Sequence, residues 1–398
     1  MTDQQSPKPA AAPARRRIVV VSGFGDDALT PRGQRTQQLI RVLNRDWEVE
    51  LIAMPARDHR GGSGASGRSL ARSLASRAVQ ELLFDRWEPW ARQRFGRWRP
   101  QADAAVLVVA PWSPAAIASR RLREQGIPYV IDAGDPWAVG LRNRPHTIAG
   151  RRSLRAEAPI WEGAAGAILT TPQQAQRMSS IYPQLPIMSR PNGYEIPDGA
   201  PRPEAQEGER GGSQLRLAHF GVLYAARLDV VPFLTRLQQS GNWDSVRFDQ
   251  YGGDPDGMLN AAPPGVEVAN HGAIPWPEVM ARTSQFDSVV VLGNELGELL
   301  PSKAVQYLTL PVPRIAVTDT ERDDALTDFA RSHSAWLAVS PTDPDAGQLV
   351  ADHVRRDWTA AELDPPAGDA WPAVAEELGG FVSRCVAGGS PDRLKPAR

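Results

Sequence analysis

Asp287-Ser288-Val289-Val290-Val291-Leu292-Gly293, closely followed by Gly297-Glu298-Leu299-Leu300-Pro301-Ser302-Lys303-Ala304-Val305-Gln306-Tyr307, decides how this chain is read. The first run is short, apolar and β-branched and closes on glycine, which predicts a buried strand. Pro301 suits the first position of a helix, where its missing N–H costs nothing. Lys303 then falls in the first turn, where a cation opposes the helix dipole and calls for something negative nearby. Gln306 lies three residues on, on the same helical face, and Glu298 waits in the loop eight positions before it. A strand end, a loop carboxylate and a helix start together suit a nucleotide-sugar site; the same residues also suit a surface lysine and a solvated glutamate.

Working outward, a chain of 398 residues exceeds one ordinary core, so two domains are expected. Its apolar fraction of 41% and charged fraction of 23% are those of a globular protein. A net charge of −1 gives no overall field for nucleic acid. The single cysteine, Cys385, excludes an intrachain disulfide and a cysteine-based metal cluster, and fits a reducing compartment. No apolar run reaches the roughly 20 residues that span a bilayer. The expected location is therefore the cytoplasm.

Arg17 to Gly25 (RIVVVSGFG) reads as an apolar strand ending in a glycine turn, the opening of a doubly wound α/β domain. A helix over Pro31–Leu43 follows, then strands at Glu48–Met54, Ala104–Ala110, Tyr129–Asp132, Ala167–Thr170 and Pro186–Arg190. Between the second and third strands lies an arginine- and tryptophan-rich stretch, with Arg68, Arg72, Arg77, Arg86, Trp87, Trp90, Arg92, Arg94, Arg97, Trp98 and Arg99. It admits three readings: a nucleic-acid surface, a basic helix touching an anionic membrane or lipid-linked diphosphate acceptor, and a solvated helix pair with tryptophans in the core. Pro197–Gly212 has no apolar pattern and reads as a linker. The pattern then restarts, with strands at Leu215–Gly221, Val246–Tyr251, Val266–Val268, Ser288–Leu292, Arg314–Val317 and Ala335–Val339, a helix at Leu228–Leu237, and a final helix at Ala370–Val386. Strict alternation in both halves predicts two parallel-sheet domains facing one another, with ligands at the strand carboxyl ends. The divisions are a tail (1–16), a first domain (17–196), a linker (197–213), a second domain (214–369), and a terminal helix with a tail (370–398).

Four stretches carry a resemblance. Val130-Ile131-Asp132-Ala133-Gly134-Asp135-Pro136-Trp137 resembles an Asp-x-Arg-Asp-Pro-Trp signature, and Arg190-Pro191-Asn192-Gly193-Tyr194 a Pro-Asn-Gly hinge. His219-Phe220-Gly221-Val222-Leu223-Tyr224-Ala225-Ala226-Arg227 is similar to a Gly-x-Leu-Tyr-x-x-Arg opening, and Leu300-Pro301-Ser302-Lys303 through Tyr307-Leu308 to a Leu-Pro-x-Lys-x-x-Glu-Tyr-Leu donor motif. The set resembles family 4 nucleotide-sugar-dependent glycosyltransferases of the exopolysaccharide type, with the two-Rossmann GT-B fold.

The resemblance implies transfer of a sugar from a nucleoside diphosphate sugar to an acceptor hydroxyl, with retention and without a cofactor. It implies that Arg227, Lys303 and Gly221 hold the diphosphate, that Glu298, Leu300 and Ser302 meet the sugar, with Glu298 also counted as catalytic beside Asp132 and Asp135, and that Gln306 faces the ribose where the family has glutamate. Asp132 and Asp135 would orient or deprotonate the acceptor, with Gly25 and Trp137 on the acceptor side. Glycine at 134, where the family has arginine, would take a cation from the cleft floor. No metal is expected, since Asp254-Pro255-Asp256 and Asp343-Pro344-Asp345 are each broken by proline. Expected partners are a nucleotide sugar, a hydroxyl acceptor that includes lipid-linked candidates, and an anionic membrane at the inner face of the plasma membrane through 68–99. Two other readings stay open: a GT-B nucleotide-sugar epimerase, and a degenerate nucleotide-binding scaffold, favoured by Gln306 and Gly134.

Overall fold

Ile18, Val19, Val20 and Val21 are all buried, yet alternate residues serve different cores. Successive strand side chains point to opposite faces, so such a run needs cover on both sides. The computed structural model describes residues 15–23, 30–54, 87–109, 112–134, 148–196, 212–223, 228–294 and 297–388. In the first half, strands β1 (Arg16–Ser22), β2 (Trp47–Ala53), β3 (Ala104–Val109), β4 (Tyr129–Ala133), β5 (Gly166–Leu169) and β6 (Ile187–Ser189) form one sheet in the order β2-β1-β3-β4-β5-β6. Every neighbouring pair is parallel. On one face Val19, Val21, Leu107 and Ile131 meet Trp112, Leu122 and Trp161 of helices α3 (Trp112–Glu124) and α4 (Ile148–Glu162).

On the other face Ile18, Val20, Val106 and Val130 meet Leu39 and Leu43 of α1 (Pro31–Leu43). Trp371, Val374, Leu378 and Val382 of the terminal helix α12 (Trp371–Ala387) complete that layer. Each such side chain contributes about 1.5–3 kcal/mol by leaving water, so the far end of the chain is part of the first domain's core.

The second half repeats the plan with β7 (Gln214–Phe220), β8 (Ser245–Tyr251), β9 (Val266–Asn270), β10 (Ser288–Leu292), β11 (Arg314–Val317) and β12 (Trp336–Val339), in the order β12-β11-β10-β7-β8-β9. All pairs are again parallel. The order reverses between β7 and β10, and between β1 and β3 in the first sheet, which are the crevices where open parallel sheets take ligands.

Three local expectations shift. The helix expected from Leu228 starts at Val231 as α6 (Val231–Gln239), because Pro232 suits a first turn and the Asp229 carboxylate accepts the Val231 N–H at 2.9 Å. Ala335 has a φ of 57° and stands outside β12. Pro301 precedes helix α8 (Ser302–Tyr307) instead of opening it. In the arginine-rich stretch, Trp90 of α2 (Glu88–Phe95) and Trp98 just beyond it pack against the first core, while Arg94, Arg97 and Arg99 face solvent. Its residues 55–86 lie outside the described residues.

Candidate active site in the cleft

Lys303 is placed by what anchors α8. Ala304, Val305 and Tyr307 are buried in the second core, and the Tyr307 hydroxyl accepts the Phe220 N–H at 2.7 Å, tying the helix to the end of β7. At the other end the Arg314 guanidinium, 1% exposed, donates to the carbonyls of Tyr307 (2.9 Å), Leu308 (2.9 Å), Leu310 and Leu363 (2.7 Å). Burial pulls Arg314 down to about 9, still charged at neutral pH, and a cation suits a helix C-terminus.

A cavity of about 790 Å³ opens beside this helix, lined by His219, Gly221, Trp276, Lys303 and Gln306 among others. The Lys303 ammonium lies 5.2 Å from the Trp276 ring centre and makes no ion pair among the described residues. Burial pushes its pKa below that of an ordinary lysine. A half-buried cation with no carboxylate of its own fits an anionic ligand. The carbonyl of Gly221 accepts from the Gln250 amide at 2.6 Å. A Cβ at Gly221 would come within 2.9 Å of His219 Nε2, so glycine leaves the strand end open to the cavity. His219 is 5% exposed and its Nδ1 donates to the Val290 carbonyl at 2.8 Å. It was not singled out from sequence, although a polar ring inside an apolar strand is a usable signal. Gln306 lines the same cavity, and its amide nitrogen donates to the Glu195 carbonyl at 2.9 Å.

A second cavity of about 340 Å³ lies between Thr30–Arg35, the end of β4, Asn192, Asn294 and Leu299–Pro301, with Leu300 and Ser302 on its wall. Asp132 is there, 1% exposed, but paired: Arg35 Nε lies 3.0 Å from both carboxylate oxygens. Arg35 Nη1 also donates to the carbonyls of Arg190 and Pro191 (both 3.2 Å) and to Asn192 Oδ1 (3.3 Å). One guanidinium thus joins α1, β4 and the hinge. A carboxylate engaged in this way by one guanidinium ties α1 to the end of β4. Arg35 carries no motif signal, and only the fold reveals it.

Gly134 does not remove a cation from the cleft floor. A Cβ there would lie 2.4 Å from Arg32 Nη2, so the Arg32 guanidinium occupies the space of the missing side chain. Arg32 also donates to the Val109 carbonyl. The charge comes from α1 instead of from the β4 loop.

Glu298 lines neither cavity. It pairs with Arg177 of α5 (Pro172–Ile181), and its backbone carbonyl accepts from the Thr171 hydroxyl at 2.8 Å. Burial raises its pKa and Arg177 opposes that rise. Gly25, Asp135, Trp137 and Arg227 lie outside the described residues. The two Asp-Pro-Asp strings serve turns, Asp254 accepting from the Met258 and Leu259 N–H groups and Asp343 from Asp345. Among the described residues no three metal-ligating side chains cluster.

Solved structures share this architecture. A sucrose-phosphate synthase from Thermosynechococcus elongatus matches over 94% of this chain and 100% of its own, with a TM-score of 0.56 at 14% identity. The glycosyltransferase of kitacinnamycin covers 96% of this chain and 100% of its own (TM-score 0.47, 15% identity). MurG of Acinetobacter baumannii covers 92% and 99% (TM-score 0.42, 13% identity). No family model matches the chain, and no curated protein does. At such identities the likeness is one of fold. Two six-stranded parallel sheets with flanking helices define this chain as α/β with the GT-B fold, matching the sucrose-phosphate synthase over nearly the whole chain.

Proposed function

We propose that this chain is a glycosyltransferase that moves a sugar from a nucleoside diphosphate sugar to an acceptor hydroxyl, with retention at the anomeric carbon. The observation that carries it is Lys303, a desolvated cation that makes no ion pair among the described residues, set in a cavity at the β7–β10 switch point. In the reaction the acceptor oxygen bonds the anomeric carbon while the bond to the diphosphate oxygen breaks. The nucleoside diphosphate leaves with that electron pair, and the hydroxyl proton is released. Negative charge grows on the departing diphosphate, so a preorganised cation favours the transition state over the ground state. We assign that part to Lys303 and, through its motif, to Arg227, with Gly221 giving the diphosphate close approach and Leu300 and Ser302 bordering the sugar. Asp135 is the remaining candidate for the acceptor proton, with Gly25 and Trp137 on the acceptor side. The scheme needs no metal or cofactor. The reading favours the family 4, exopolysaccharide-type branch on its four motifs.

The purified chain, mixed with a panel of nucleoside diphosphate sugars and hydroxyl acceptors, is expected to bind one donor and transfer or slowly hydrolyse its sugar. Binding without turnover across the panel would favour a nucleotide-binding scaffold, the reading that Gln306, tied to the Glu195 carbonyl, favours. Interconversion of the sugars would indicate an epimerase.

Peripheral contact with an anionic membrane, at the inner face of the plasma membrane, belongs to the same proposal. Arg94, Arg97 and Arg99 face solvent, and near an anionic surface each contributes about 1 kcal/mol. Replacing all three by glutamine is expected to reduce binding to anionic liposomes. A wild-type chain that ignores such liposomes ends this part of the proposal.

A further inference from the structure

Three of the chain's 45 lysines and arginines are lysines: Lys8, Lys303 and Lys395. Lys8 and Lys395 stand near the two ends of the sequence, so Lys303 is the one lysine in its long arginine-using middle. Lysine differs from arginine in carrying a compact point charge on a flexible stem. Such a stem has many rotamers, and an ammonium that is to meet a ligand gains from being held in one of them.

The element that faces it is α7 (Trp276–Thr283). Pro275 caps this helix, Pro277 sits in its first turn, and Val279 and Met280 are buried in the second core. Trp276 is therefore carried on a fixed element; it is half-buried against that core and lines the larger cavity. Its ring stacks on Tyr307, with centres 6.2 Å and planes 20° apart, and its centre lies 5.2 Å from the Lys303 ammonium. Residues 303 and 307 are four apart and share one face of α8, so a single indole covers both. Tyr307 is in turn fixed through the Phe220 N–H. An ammonium within about 6 Å of a tryptophan ring centre is attracted to the negative ring face, most strongly where water is excluded. Glu195 lines the same cavity without pairing with Lys303.

We propose that Trp276 is a positioning residue, whose ring holds the Lys303 ammonium at the cavity wall before the diphosphate arrives. The rotamer freedom of the lysine is then given up on folding and not on binding, which tightens the diphosphate. Without the ring the ammonium is free to turn into water or toward Glu195. This inference rests on the transfer reading for the diphosphate, and on the ring geometry alone for the contact.

Two measurements on the full chain test it. Reductive methylation with 13C-formaldehyde labels the three lysines and the amino terminus, and the Lys303 signal is the one missing from Lys303→Arg. Nuclei over a ring face are shifted upfield, so the Lys303 N-methyl signal is expected upfield of the other lysines. In Trp276→Leu it is expected to return to their position. Calorimetry with pyrophosphate, which carries neither base nor sugar, then reads the role. Trp276→Leu is expected to weaken pyrophosphate about tenfold, and Trp276→Phe, which keeps an aromatic face, much less. In a Lys303→Met background Trp276→Leu is expected to change nothing further, since the two side chains act as a unit. An unshifted Lys303 signal in the wild-type chain overturns the proposal, even where Trp276→Leu does not fold. Equal losses in the Leu and Phe variants, or a loss that persists in the Lys303→Met background, also overturn it, because Trp276 then acts other than through Lys303. If neither pyrophosphate nor any nucleoside diphosphate binds the wild-type chain, the transfer reading fails instead, and the N-methyl signal still decides whether the ring holds the ammonium.

Discussion

Lys303 is an ammonium group that folding strips of water without supplying a carboxylate from the described residues. Its pKa is lowered by burial, so the unfolded chain binds this proton more tightly than the folded one. The folded state is then penalised wherever the lysine is charged, and the penalty fades only as pH rises toward the ordinary lysine value, about 10.4. An anion in the cavity reverses the balance. Lys303→Met is accordingly expected to raise the melting temperature of the ligand-free protein at neutral pH while weakening UDP or its counterpart about tenfold to a hundredfold. Thermal denaturation with and without nucleotide reads both effects, and unchanged nucleotide affinity would remove Lys303 from the diphosphate site. Gln306 behaves differently from what its motif position suggests. Its amide donates to the Glu195 carbonyl, which a glutamate cannot do. Gln306→Glu is expected to lower stability by about 0.5–1.5 kcal/mol without improving nucleotide affinity. A gain in affinity would mean that the side chain turns to the ribose when the nucleotide binds.

Helix α5 clasps the two halves through the loop that precedes α8. Besides Thr171 and Arg177 on Glu298, the Gln173 amide donates to Asp323 (2.9 Å) and Asp328 (2.7 Å) of the second half. Arg177 opposes the rise that burial gives the Glu298 pKa, so Arg177→Ala leaves a buried carboxylate without its cation. A raised carboxyl pKa stabilises the fold below the ordinary value, about 4.3, and loses that contribution as pH rises through the folded value. Arg177→Ala is thus expected to cost about 1–3 kcal/mol at pH 7 and less near pH 4. Urea denaturation at both values checks this, and an equal loss at both would show that the Glu298 charge is not what Arg177 balances. The elements themselves were legible in the sequence: α1 runs over Pro31–Leu43 and β10 over Ser288–Leu292 as expected, because a proline start and an apolar β-branched run are local signals. The pairs within the site were not. Arg35 meets Asp132 across 97 positions, and Arg32 fills the space at Gly134 only once α1 lies over β4. No spacing rule encodes such contacts, and the motif therefore pointed at Asp132 as a base without showing the guanidinium that engages it.

At the scale of the molecule, the chain crosses between its halves twice, and both crossings meet at one knot. Arg190, just after β6, lies 3.1 Å from Asp369 and 3.1 Å from Glu377 of α12, while His333, just after α9 (Ala325–Ser332), lies 2.9 Å from the other Asp369 oxygen. Backbone bonds reinforce it: Tyr194 N–H to the Asp369 carbonyl at 2.9 Å, and Trp371 N–H to the Tyr194 carbonyl at 3.1 Å. Gly193 lies so close to Trp371 that a Cβ would fall 2.7 Å from its backbone, which accounts for glycine in the hinge motif. The hydrogen bond from His333, with help from Arg190 and against burial, holds the Asp369 carboxyl below the usual carboxylate range. A depressed carboxyl pKa contributes stability above the ordinary value, about 3.9, and loses it as pH falls through the folded value. Asp369→Asn keeps the shape of the side chain and removes its charge. It is expected to cost about 1–3 kcal/mol at pH 7, with the gap from wild type closing in acid below the ordinary carboxyl value. Denaturant titrations across that range decide it: a gap that stays constant down to low pH would mean that the knot is held by its backbone bonds and by packing of α12, and that the Asp369 charge contributes nothing to keeping the two domains in register.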